Sequence, residues 1–330
     1  MRQRKTIFSR KRSYYLYFKT KSNTPIFTIY LPIMSASSVR VKLIGLSSNL
    51  VYYEGLQTDT QSFNLENNTI SEEIGYYLSV KDLLTTYINL PGKNITMINL
   101  SRIRGTWSSV CDLSNNDIRT CIWKEKQLLT NTVGYNFSGN SNFTSDLLPN
   151  DTQSTNKFKV LNVVGTKVTD INFLLTAFQN LTELYIGNPL DKFEFLFPIT
   201  HTKLSRFAIK QVKTNINNLM LINCPMLTYL EIYEIDISII TIDNCPLLEN
   251  LNAWNNRGML NINRTGTSKF KNVNIGLNSF TSIIKDKIIN YCIDDGILNG
   301  NLAIGKTPNP PNNNSGLSVL QSRGWTGTSF

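Results

Sequence analysis

The sequence predicts a β-rich solenoid of short parallel strands over residues 157–279. A β-rich N-terminal region precedes it, and a C-terminal helix–strand–helix cap closes it. Three observations carry this expectation: an apolar motif recurring at near-constant spacing, a second apolar run inside the central copies, and a change to helical periodicity after Ile275.

The motif is apolar at its first, fourth and sixth positions. It occurs at Phe158-Leu161-Val163, Leu181-Leu184-Ile186, Leu204-Phe207-Ile209, Leu227-Leu230-Ile232, Leu248-Leu251-Ala253 and Phe270-Val273-Ile275. The steps between first positions are 23, 23, 23, 21 and 22 residues. Recurrence of this kind is the signature of a repeat architecture. Positions four and six are two residues apart, so on an extended chain both side chains leave the same face. One short strand cannot bury that face alone. Stacked copies form a parallel sheet whose apolar rows merge into one core.

The second run is Asn218–Ile222 before Asn223-Cys224-Pro225, and Ile239–Ile242 before Asn244-Cys245-Pro246. The two triplets are 21 residues apart, so they are expected to stack, each proline ending a strand and setting the turn. Cys224 and Cys245 read as a ladder of small buried thiols in preference to a metal or redox pair.

On this motif and period the chain resembles the leucine-rich-repeat proteins, whose repeats run from about 20 to 29 residues. The resemblance implies an asparagine three residues after the last strand position. Asn256 and Asn278 stand there and Thr166 can substitute, whereas Pro189, Val212 and Ile235 depart from the pattern. Irregular turns are therefore expected in the central repeats.

After Ile275 the apolar residues Phe280, Ile283, Ile284, Ile288 and Ile289 follow helical spacing, predicting an amphipathic helix over 280–293 that Asp294-Asp295-Gly296 stops. Gly300–Ile304 reads as a last strand, Thr307–Asn314 as a Pro- and Asn-rich loop, and Gly316–Ser322 as a short final helix before Arg323-Gly324-Trp325-Thr326. The run DDGILNGNLAI, the loop and LQSRGWT resemble the C-terminal cap of repeat proteins in bacteriophages and Bacteroidota-type bacteria. That resemblance implies that residues 280–330 close the solenoid, with Trp325 plugging the open end of the core in preference to stacking on a ligand.

In the N-terminal region, residues 22–135, Ile26–Leu31, Val39–Leu43, Tyr87–Leu90 and Ile95–Leu100 read as strands, with Gly92-Lys93-Asn94 as a hairpin turn. Residues 136–156, rich in Gly, Ser, Asn and Pro, read as a linker or long loop.

Hydrophobic residues make up 41% of the 330 and charged residues 17%, enough apolar content to exclude wholesale disorder. The net charge of +10 is concentrated at the start: Arg2, Arg4, Lys5, Arg10, Lys11, Arg12, Lys19 and Lys21 all precede the first acid, Glu54. Residues 1–21 thus form a basic arm, suited to nucleic acid, an anionic membrane surface or an acidic partner, and equally to a solvated terminus. No run is long enough to span a bilayer, and no cleavable export signal is legible.

A search for catalytic groups finds little. His201 is the one histidine, placed between repeats where a solvated loop side chain is expected. With five cysteines, Cys111, Cys121, Cys224, Cys245 and Cys292, and no CxxC pair, the pattern argues against a zinc site, and reduced interior thiols are expected. No nucleophile elbow, P-loop or dinucleotide fingerprint is present. Asp294-Asp295 and Glu72-Glu73 are adjacent acids without the facing geometry that glycan cleavage requires. The expectation is a protein without enzymatic activity, cofactor or metal.

Motif positions three and five point to solvent on the sheet face. They are Glu183 and Tyr185, Arg206 and Ala208, Tyr229 and Glu231, Asn250 and Asn252, Asn272 and Asn274, with Tyr233 and Trp254 immediately after their strands. Aromatic and amide side chains together suit glycans or a polar protein partner. The reading that follows is a phage virion component of tail, spike or fibre type, presenting the repeat surface to a host or a neighbouring subunit, with homo-oligomerisation open. A bacterial surface or secreted adhesin is the first alternative, and a precursor export signal would favour it. A nucleic-acid-associated structural protein using the arm is the second, which salt-dependent DNA binding lost on deleting the arm would favour.

Overall fold

A computed structural model of the chain describes residues 14–21, 39–57, 74–80, 90–100, 110–123, 133–150, 152–188, 198–212, 216–256, 258–266, 268–305 and 309–327. The arm residues Arg2, Arg4, Lys5, Arg10, Lys11 and Arg12, the expected strand Ile26–Leu31, Pro189 and most of Tyr87–Leu90 lie outside these. The chain divides into two compact units, residues 1–134 with 146–157, and residues 135–145 with 158–330.

The first unit contains β1 (Tyr14–Thr20), β2 (Val39–Gly45), β3 (Val51–Gln57), β4 (Ile74–Val80), β5 (Ile95–Asn99), β6 (Val110–Asp112), β7 (Thr120–Ile122) and the short helix α1 (Thr152–Thr155). Six strands form one sheet in the order β3-β2-β4-β1-β5-β7. β1 lies inside this sheet, antiparallel to β4 and β5. The basic arm therefore ends before Tyr14, a correction to its expected extent of 1–21. Lys21 is also committed, 2.8 Å from Asp117. The turn at Gly92 to Asn94 forms, with both residues at positive φ, but the expected hairpin does not. β1 and β7 occupy both edges of β5, and the amides of Leu90 and Gly92 donate to Asp112 and Ser114. A buried amide secures this corner: Asn116 donates to the carbonyls of Leu90, Leu113 and Ser114 and accepts from the amides of Lys93 and Ile95.

The second unit is a parallel β-solenoid of about six turns. Its strands are the end of β8 (Val133–Asn136), β9 (Phe158–Asn162), β10 (Glu183–Ile186), β11 (Arg206–Lys210), β12 (Ile216–Ile222), β13 (Tyr229–Tyr233), β14 (Ile237–Asp243), β15 (Asn250–Asn252), β16 (Asn261–Thr265), β17 (Asn272–Asn274) and β18 (Asn301–Ala303). The larger sheet runs β18-β17-β15-β13-β11-β10-β9-β8, and a second sheet runs β12-β14-β16. The expected motif copies stack in register: Leu161, Leu184, Phe207, Leu230, Leu251 and Val273 are successive partners, and Leu302 extends the row. All seven are buried, as are Leu219, Leu221, Ile240, Ile242 and Ile262 of the second sheet. The core lies between the two sheets because the strands of both turn alternate apolar side chains inward. Where the return run lacks this alternation, helix α2 (Ile171–Ala177) takes its place, capped by Asp170 on the Phe173 amide.

Residues 136–145 are not a linker, contrary to expectation. The amides of Phe137 and Gly139 donate to the carbonyls of Asn162 and Val164, and Phe137, Asn140 and Phe143 are buried. Phe137 stacks on Phe143 at 4.3 Å, and Tyr135 meets Phe158 at 5.0 Å. A run rich in Gly, Ser and Asn thus begins the solenoid, Phe137 and Phe143 joining Tyr135 just before it to supply the apolar rung.

The turns are also more regular than the residue types suggest. Gln211, Glu234, Asn255 and Leu277 occupy equivalent places, all at φ between 51° and 55°. The carbonyl-bridging role is held by Asn278, which donates to Ala253 and Ile275, by Asn256, which donates to Ile232, and by Asn188, which donates to Thr166. Thr166 substitutes as expected, donating to Val163 at 2.7 Å. Val212 and Ile235 fill the same place with buried apolar side chains.

His201 is buried, which corrects its reading as a solvated loop residue. Nδ1 accepts from the Leu204 amide at 3.0 Å and Nε2 faces the Phe178 carbonyl at 3.4 Å. The ring bridges neighbouring turns in its neutral form. All five cysteines are free thiols, and Cys224 and Cys245 are both buried, with Asn244 donating to Asn223 at 2.6 Å beside them.

The cap follows its expected order: α3 (Ser282–Asp294), β18 and α4 (Asn314–Ser322). Thr281 caps α3 and Asn313 caps α4. Lys285 is buried and donates to the carbonyls of Gly305 and Asn309. Arg264 of β16 reaches across to Asp295 at 2.6 Å, packed over the rings of Tyr291 (4.4 Å) and Phe270 (5.0 Å). Asp295 also accepts from the Phe270 amide at 2.7 Å. Trp325 is 3% exposed, and its indole N–H donates to Ile297 at 2.8 Å, the plugging role expected of it. Among the described residues no helix is long and apolar enough to cross a membrane.

Two measurements check this fold. Asp295→Ala strands the buried Arg264 guanidinium, and breaking such a pair costs about 3–5 kcal/mol, read as a lower urea midpoint. His201 gives a pH signature. Burial holds its pKa below the ordinary 6.5, so the unfolded chain binds the proton more readily than the folded one. Its contribution is complete above about pH 6.5 and is lost as the pH falls below that value. Melting temperature between pH 8 and 5 should therefore fall more steeply for the wild type than for His201→Gln.

Candidate functional site

The register of the larger sheet orders its outward side chains into rows. Glu183, Arg206, Tyr229, Asn250 and Asn272 are successive partners in one row. Tyr185, Ala208, Glu231, Asn252 and Asn274 form the next. Lys210 pairs with Tyr233 at the start of a third, which Trp254 and Gly276 continue two residues beyond Asn252 and Asn274. The structure thus brings together all eleven residues expected on this face.

The rows divide chemically. In the half built by β10, β11 and β13, the Arg206 guanidinium lies 4.2 Å over the Tyr229 ring and 5.4 Å from that of Tyr185. Glu231 receives Arg206 at 3.7 Å and Lys210 at 3.1 Å. The Tyr185 hydroxyl donates to Glu183 at 2.5 Å; burial, and then this bond, push its pKa up to about 12. Ala208 is buried although its neighbours Phe207 and Ile209 point inward. The long side chains around it close over its methyl group. The charges here are paired with each other, which makes this half a knitted surface.

The half built by β13, β15 and β17 is different. Tyr233 and Trp254 stack at 5.0 Å with an interplanar angle of 3°. Glu234 accepts from Tyr233 (2.8 Å), Gln211 (3.0 Å) and Asn255 (3.2 Å), which anchors the aromatic pair from the turn. Asn272 donates to Asn250 at 2.7 Å, and Asn250 donates to the Thr228 carbonyl at 3.1 Å. Asn274 accepts from the Gly276 amide at 3.3 Å.

The face holds carboxylates, a guanidinium and phenols, but its acids are engaged. Elsewhere, burial raises the thiol pKa of Cys111 and Cys121 well above the ordinary value and that of Cys292 to about 12, away from thiolate chemistry. His201 is committed to the core. Among the described residues no group of three His, Cys, Asp or Glu side chains gathers to hold a metal. Lys210, Glu234 and Gly276 belong to the face and were missed from the sequence. Reading the alternation on to motif position seven finds Lys210 and Gly276, whereas Glu234 acts from a left-handed turn that no pattern marks.

Comparison with protein-family models, curated proteins and solved structures returns no match, so the chain is described here by its fold alone.

Proposed function

We propose that this chain is a non-enzymatic binding and structural protein whose solenoid presents the larger sheet's outer face to a partner. The observation that carries this reading is the register itself. It holds two aromatic rings and an amide track side by side on rigid strands, where little conformational entropy remains to be lost on binding. Arrays of stacked repeats commonly bind through such a surface. The setting we propose is a virion component of tail, spike or fibre type, attaching to a host surface or to a neighbouring subunit. The resemblance of DDGILNGNLAI and LQSRGWT to phage repeat-protein caps supports this setting. A bacterial surface or secreted adhesin would use the same face.

Mass spectrometry of purified particles and host membranes, with immunogold labelling against residues 158–330, tests the setting. Label on the tail tip or capsid surface is expected. Label on cell envelopes with none on particles would transfer the reading to an adhesin.

A further inference from the structure

This inference rests on the reading of the larger sheet's outer face as a binding surface, and it names the ligand class. The three described tryptophans differ in one respect. The indole N–H of Trp123 donates to Leu147 at 2.6 Å and that of Trp325 to Ile297 at 2.8 Å. The indole N–H of Trp254 has no acceptor among the described residues, and it is not sealed in the core. A tryptophan that packs only for stability pairs its N–H when buried. The Trp254 donor is open to solvent and available to a ligand.

The geometry around the ring shows where that partner sits. One face of Trp254 is covered by Tyr233. On the other side the next rung carries Gly276, and Gly305 follows it at the edge, its own Cβ position 3.7 Å from the Gly276 Cα. The φ of Gly276 does not require glycine, and with no side chain on this rung only backbone lies against the indole edge. An atom placed where its Cβ would be lies 3.3 Å from Trp254 Cδ1, 3.6 Å from Trp254 Nε1 and 3.5 Å from Asn274 Oδ1. Leu277 borders this point at φ 55° and 65% exposed. Indole wall, glycine floor, amide edge and apolar lip make a notch.

We infer that this notch binds one ring of a neutral glycan. The indole face takes the apolar C–H face of a pyranose. Trp254 Nε1 donates to a hydroxyl or ring oxygen, and the Asn274 amide exchanges hydrogen bonds with hydroxyls. Among the described residues no group lining the notch carries a charge, and the acids of the neighbouring rungs are spent: Glu234 on Tyr233, Gln211 and Asn255, Glu231 on Arg206 and Lys210. Among the described residues a sugar acid or phosphorylated sugar finds no cation there, whereas an uncharged polyol pairs with the Trp254 indole N–H and the Asn274 amide. The amide track of Asn250 and Asn272 then lies beside the bound ring, one strand spacing of about 4.8 Å per rung, so a chain running across the strands meets a polar group at each step.

The test uses the full chain on an array of neutral and acidic oligosaccharides, with tryptophan emission followed for each hit. Wild type is expected to bind at least one neutral oligosaccharide with a change in emission. Gly276→Val, whose side chain presses on the indole edge and fills the notch, is expected to weaken binding at least tenfold. Trp254→Phe is expected to remove the emission change, and this second readout stands if the valine variant misfolds. Binding only to acidic glycans, binding indifferent to both substitutions, or no glycan bound at all overturns the inference. Host envelope fragments separate this failure from failure of the wider reading. Attachment abolished by periodate supports the glycan. Attachment abolished by protease but not by periodate keeps the binding face and rejects the glycan. Absence of any attachment rejects the face itself.

Discussion

The in-register stacking of successive turns is the constraint on which the rest of this structure depends. Each turn contributes a single rung of apolar side chains, too few to form a core alone. Leu184 is buried because Leu161 and Phe207 flank it, and each of those needs its own neighbour in turn. A slip of one residue would move every apolar row to the solvent face and every tyrosine, arginine and asparagine into the core. Register therefore fixes both the core and the outer face. The two ends of the repeat array need special closure. At one, Tyr135, Phe137 and Phe143 pack onto Phe158 and one another. At the other, Trp325, α3 and the Arg264–Asp295 pair close the last rungs.

Polar groups inside the stack serve the same constraint. The Asn278 side chain bonds to its own turn and to the one before it, and the Asn256 side chain to the one before it, so each buried amide satisfies backbone groups that the turns leave unpaired. His201 does the same with its imidazole. These groups hold adjacent turns at one spacing, and that spacing sets Tyr233 against Trp254. The outer face inherits its order from the polar ladder beneath it.

Much of this was legible in the sequence, for reasons that can be named. The motif copies from Phe158 to Ile275 are strong because burial is required at every rung, and α3 is strong because its apolar spacing changes period. The start of the solenoid was hidden because residues 136–145 carry turn residues at high density and one aromatic rung. Phe137 and Asn140 do repeat the spacing of Ile275 and Asn278, and that offset was the available signal. β1 was obscured by charge: Lys19 and Lys21 read as part of an arm, although Tyr14–Thr20 has the β-favouring aromatics of a strand. The regular turns at Gln211, Glu234 and Leu277 were not legible because tertiary stacking, and not residue preference, holds them left-handed. Nine of the eleven face residues were found by alternation, and Tyr233 and Trp254 by their place at the ends of their strands. The notch was not, because it depends on the absence of a side chain at Gly276 beside an unpaired donor at Trp254.

Hydrogen exchange of the indole N–H protons, assigned by Trp→Phe substitution, tests the central claim most directly, because one experiment reads the closed end and the open face. A solenoid stacked in this register predicts a slow Trp325 indole, held by Ile297 under the cap, and a fast Trp254 indole open to water. A fast Trp325 with a protected Trp254 would contradict the register, the closure of the core and the binding face together.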